Sequence, residues 1–174
     1  MVNKIEGFMK IIMLLIVPTI VFLVIDYYFG AKIAMNLMAT ILLVMALLFT
    51  VKREYCIKYF NFANPSYMKR LGEKGEDFKR KNITTNIVGL YIISGTTFLN
   101  ASIQRGGQRL LTEGGYVTAL KFIAITILLG ITIFFLNNFI LKKSKSNNAF
   151  IGFSVILGII LAVVLLVTIM FILM

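Results

Sequence analysis

Histidine and tryptophan are absent, and cysteine occurs once, at Cys56. Without an imidazole there is no histidine metal ligand, no proton carrier titrating near neutrality and no histidine-based triad. A lone cysteine excludes an intramolecular disulfide and any CxxC chemistry, so Cys56 is expected to be a free thiol. Acids are also scarce: seven Asp and Glu stand against 18 Lys and Arg, giving a net charge of +11. The Asp and Glu lie at the edges of apolar runs, which leaves poor material for general acid–base work. The chain is therefore expected not to be an enzyme, with no cofactor and no metal site.

What the sequence holds in quantity is apolar length. Hydrophobic residues make up 59% of the 174, and the mean hydropathy is +0.92. Several apolar runs reach about twenty residues, enough to cross a ~30 Å hydrocarbon core as helix. The expected fold is all-α, a polytopic transmembrane helix bundle forming a single membrane domain over 1–174. Five spans are expected, at about 8–29, 32–51, 82–103, 116–141 and 149–174. The first has lysines before its apolar core, like a signal peptide. It ends in Asp26-Tyr27-Tyr28 instead of a small-residue cleavage site, so it reads as a retained helix. Pro18 within it removes one backbone hydrogen bond and predicts a kink. Gly30 suits a tight hairpin, and Asp26 is expected to pair with Lys32 across it. The second span has no ionisable group after Lys32 and reads as a plain anchor.

The long polar stretch is Lys52–Lys81, with nine basic and four acidic residues. In a soluble protein such charge would suggest nucleic acid. Between apolar runs it is what the positive-inside bias produces, and no nucleic-acid partner is expected. With the N-terminus inside and the C-terminus outside, 14 basic residues fall inside and four outside, which predicts that orientation. Within the stretch, Asn64-Pro65 has the form of a helix cap and first position, with Gly72 as the stop. Glu76 and Asp77 precede Arg80 and Lys81 at favourable helical spacing, so the third helix is expected to begin near Glu76. Lys52, Arg53, Lys69, Arg70, Arg80 and Lys81 are the candidate contacts for lipid headgroups or a partner.

The third span is the least apolar. Asn82, Asn86, Thr97, Asn100 and Gln104 recur at helical spacing and form a candidate polar face directed into the bundle or along a pathway. A glycine-rich loop is expected over Gln104–Gly115, and a second basic loop over 142–148. In the fifth span Ser154, Gly158 and Ala162 form a small-residue ridge suited to close helix packing.

No motif carries a family resemblance. The expected function is a small non-enzymatic integral membrane protein acting through helix or partner contacts, of accessory, assembly or immunity type. The alternative is a small transporter or channel subunit with the third helix lining the path. The expected partners are the lipid bilayer and another membrane protein or a second copy, at the cell membrane as a multi-pass protein. Abundant Lys, Ile and Asn hint at a bacterial source.

Overall fold

The computed structural model describes residues 2–103, 110–144, 146 and 148–156. Among these every regular element is helical: α1 (Val2–Phe29), α2 (Ala31–Val51), α3 (Arg53–Ala63), α4 (Pro65–Glu73), α5 (Glu76–Ile103) and α6 (Leu110–Lys143). Residues 148–156 are helical as well. Among the described residues three helices are long and apolar enough to cross a membrane, with windows at Ile12–Phe29, Ala31–Val51 and Glu76–Ile103. The expected fourth span, 116–141, lies inside α6, and most of the fifth, 149–174, lies outside the described residues. The chain divides into two compact units, Met1–Ile133 and Phe134–Met174.

In the first unit, α1 and α2 form an antiparallel hairpin closed at Gly30. Its φ of 88° lies in the left-handed region that a side chain would strain. The Gly30 amide donates to the Asp26 carbonyl at 2.9 Å, and its own carbonyl accepts from Ala34 at 3.1 Å, so α2 starts without a gap. Phe22 and Leu23 of α1 pack on Ala34, with Ile123 of α6 against the same cluster. Asp26 is fully buried and Lys32 is exposed, and the ion pair seen among the described residues is Lys79–Glu76, not the Asp26–Lys32 pair expected across the turn. Helix α1 stays continuous through Pro18, and the neighbouring Thr19 hydroxyl donates back to the Leu15 carbonyl at 2.7 Å.

Helix α2 is the centre of this unit rather than a plain anchor. It packs antiparallel to α5 on one side and to α1 on the other. Its buried residues are Ala31, Ala34, Ala39, Ala46 and Phe49, and the four alanines are at most 1% exposed. Small side chains let helix backbones approach closely, which supplies attraction where lipid gives no hydrophobic drive. The outer face of α2, including Ile33, Leu37, Ile41, Val44 and Leu48, is exposed.

Between α2 and α5 the chain folds back over the end of the pair. Helix α3 inserts Cys56 against Phe49, Ile83 and Ile87, with Tyr59 and Phe60 around them. The Tyr59 ring stands 5.7 Å from that of Phe49. Helix α4 starts as its sequence predicts: Pro65 is at the first position and Asn64 Oδ1 accepts from the Tyr67 amide at 3.0 Å. It runs through Gly72 to Glu73, and the turn falls at Gly75, with φ of 99°, before α5 opens at Glu76. A glycine inside a helix costs about 1 kcal/mol, too little to stop it there. Lys10 of α1 sits 5.1 Å from the Phe62 ring centroid of α3, so the start of α1 lies at this same end.

Of the expected glycine-rich loop, Leu110–Gly115 belongs to α6, and 104–109 lie outside the described residues. In the second unit, α6 ends at Lys143, whose ammonium lies 4.7 Å over the Phe139 ring. Ser146 Oγ then accepts from the Ala149 amide at 3.2 Å and caps helix 148–156. A serine cap is what reopens a helix so soon after a stop.

Candidate functional site

Two features meet at the end of the first unit where α3, α4 and α5 converge. One is a buried polar trio. Asn82 of α5 is fully buried, and its Oδ1 accepts from the Tyr67 hydroxyl of α4 at 2.7 Å and from Asn86 Nδ2 at 3.1 Å. The Asn82 Nδ2 is buried with no hydrogen-bond partner. An unpaired buried donor carries a desolvation cost of about 1–3 kcal/mol, so the position favours an acceptor such as an ordered water. Burial pushes the Tyr67 phenol up from its ordinary range, and its side-chain hydrogen bonding with Asn82 and Asn86 partly offsets that.

The second feature is a cleft of about 210 Å³ lined by Arg53, Ile57, Glu76, Lys79, Arg80 and Ile83. Lys79 Nζ donates to both Glu76 carboxylate oxygens, at 3.1 and 3.4 Å. The expected pairing of Glu76 and Asp77 with Arg80 and Lys81 is thus replaced by a contact three residues on. Arg53 and Arg80 are exposed and have no ion-pair partner among the described residues.

The candidate polar face of α5 is only partly gathered by the fold. Asn82 and Asn86 come together with Tyr67. Thr97 is half-buried and spends its hydroxyl on the Ile93 carbonyl of its own helix at 2.7 Å. Asn100 is exposed, and Gln104 lies outside the described residues. The face that meets α2 carries instead Ile83, Ile87, Ser94 and Ala101, about a quarter turn round from the polar stripe. Ser94 is the residue that the sequence reading missed. It is 1% exposed and donates to the Ala39 carbonyl of α2 at 2.8 Å. Its signal was its spacing of seven from both Ile87 and Ala101, one side of a helix.

Among the candidate headgroup contacts, Arg53 and Arg80 share the cleft. Lys52 lies 5.7 Å from the Tyr55 ring, Lys69 and Arg70 sit on α4 away from the cleft, and Lys81 is exposed. Of the small-residue ridge, Ser154 is half-buried with its Oγ lacking a partner, and Gly158 and Ala162 lie outside the described residues.

Cys56 is fully buried, and desolvation raises its thiol to about 11 from an ordinary 9. At pH 8 a maleimide should label it roughly 100-fold more slowly than a cysteine placed at exposed Lys69, because the thiolate fraction falls with the raised pKa. The folded chain holds this proton more tightly than the unfolded one. Its contribution to stability is therefore complete below pH 9 and is lost as pH rises toward 11.

Comparison with protein-family models, curated proteins and solved structures finds no match to the chain.

Proposed function

We propose that this chain is a small multi-pass protein of the cell membrane that works through contacts with a partner helix and not by catalysis, as an accessory, assembly or immunity-type factor. The observation that carries this reading is the uncovered stripe on α5. Gly89, Ile93, Thr96 and Asn100 share one side of that helix, with Ile93, Thr96 and Asn100 exposed. A side chain added at Gly89 would meet nothing within 4 Å, leaving room for another backbone to approach. Thr96 satisfies its hydroxyl on the Ile93 carbonyl at 2.9 Å, whereas the exposed Asn100 amide has no hydrogen bond among the described residues. A glycine, a hydroxyl and an amide on one side suit another helix better than lipid.

A pathway through α5 would use Asn86, Thr97 and Asn100. The first two are already engaged in local hydrogen bonds, which favours the contact reading over a channel. Photo-crosslinkers placed at Ile93 and Asn100 should form adducts with a partner or a second copy, whereas one at lipid-facing Val44 should not. Equal labelling of all three positions, or a monomer with no adduct, would reject the proposal.

The same reading includes five spans, with the N-terminus and the 52–81 segment in the cytoplasm and the C-terminus outside. It is supported by the gathering of the start of α1 with α3 and α4 at one end. Fusions at Gly114 and Met174 should be active with a periplasmic-type or surface reporter and silent with a cytoplasmic one. The opposite pattern at either site breaks the topology.

A further inference from the structure

We propose that the cleft between the starts of α3 and α5 binds a phosphate-bearing anion, such as the headgroup of an acidic phospholipid. Basic residues are abundant in this segment for topological reasons alone, and most of them are simply solvated. The fold does something further with three of them. It brings Arg53, from just beyond α2, onto the same concavity as Lys79 and Arg80 from the first turns of α5. The cleft's one carboxylate, Glu76, is engaged by Lys79, which leaves two guanidiniums uncompensated. Guanidinium is the side-chain group whose planar fork matches phosphate oxygens, in two parallel charge-assisted hydrogen bonds.

The remaining lining residues are Ile57 and Ile83. An apolar wall lowers the local dielectric and strengthens the attraction between the guanidiniums and an anion. It also suits the glycerol carbons next to a lipid phosphate. The volume of about 210 Å³ is well above the ~10–15 Å³ that a single water molecule needs. The cleft also sits at a particular level. Helix α2 ends at Val51, two residues before Arg53, and Ile83 lies at the start of the apolar part of α5. On the membrane reading above, on which this placement rests, that is the depth of the phosphates.

The test uses the full chain in neutral detergent and counts bound lipid by native mass spectrometry in an equimolar mixture of phosphatidylglycerol and phosphatidylcholine. A parallel titration uses inorganic phosphate. The native chain should prefer phosphatidylglycerol by roughly tenfold, the scale expected from uncompensated basic side chains at a membrane surface. Arg53→Gln with Arg80→Gln should abolish the preference, while Lys58→Gln with Lys142→Gln, the same charge change at exposed positions outside the cleft, should keep it. Slow labelling of Cys56 in each variant confirms that the fold is retained. Phosphatidylglycerol held against millimolar phosphate identifies the lipid as the source; displacement by phosphate identifies the free anion. Equal retention of the two lipids without phosphate binding would overturn the proposal. So would equal loss in both double variants, which would make net charge the cause. The phosphate titration reads the site without a bilayer, so a failure of the membrane reading would show separately, as absence of the chain from the membrane fraction.

Discussion

Ala39→Leu should destabilise the first unit by about 3 kcal/mol, mainly through overpacking where α2 meets α5. Ala39 is fully buried, and its carbonyl accepts the Ser94 hydroxyl across the two helices. A leucine there must push the backbones apart and stretch that bond. Val44→Leu, on the exposed side of the same helix, should stay within about 0.5 kcal/mol of the native chain. Ser94→Ala removes the hydrogen bond without adding bulk and should cost only about 0.6 to 1.7 kcal/mol. Reversible unfolding in mixed detergent micelles, followed by helical circular dichroism, measures all three. If Ser94→Ala cost as much as Ala39→Leu, the bond and not the close approach would hold the pair together.

Asn82→Leu should cost about 2 to 3 kcal/mol, because it strips the shared acceptor from the Tyr67 hydroxyl and the Asn86 amide in a buried place. Tyr67→Phe should cost about 1 kcal/mol, since Asn82 Oδ1 keeps its bond from Asn86. The double variant removes the donor together with its acceptor, so its cost should fall short of the sum by about 1 kcal/mol. Strict additivity would mean that the two side chains do not act on one another. The same variants should loosen α4 from α5 and speed the labelling of Cys56, whose cover depends on that end remaining folded.

The boundaries of the elements were largely written in the chain. Apolar runs placed α1, α2 and α5, Asn64-Pro65 opened α4, and Glu76 opened α5, because each signal is local and needs no neighbour to interpret it. Gly72 misled as a stop, since a helix interior tolerates one glycine while only Gly75 adopts the left-handed turn. The roles of faces were less legible. Helix α2 looked inert because its packing surface is alanine, which carries no polar signal. On α5 the amides and hydroxyls drew the eye, yet hydroxyls at Thr84, Thr85, Thr96, Thr97 and Ser102 bond back to their own helix and need no neighbour. The contact with α2 rests on Ile83, Ile87, Ser94 and Ala101, a set that only the position of α2 can single out. In the same way, the cleft joins Arg53 to Arg80 through the fold of the segment between them, which no spacing rule reveals.

The alanine face of α2 has a consequence for how the chain is made. On the membrane reading proposed above, α2 emerges well before α5 during synthesis, and until α5 arrives its Ala39, Ala46 and Phe49 surface has lipid for company. That surface asks nothing of the lipid. The Ala39 carbonyl belongs to the hydrogen-bond ladder of its own helix, and Thr50 holds the Ala46 carbonyl at 2.8 Å. The buried donor that joins the helices comes from the late partner, through Ser94. That alanine face can wait in the bilayer without exposing an unpaired backbone group, and the docking of α5 becomes a second, separable step in assembly.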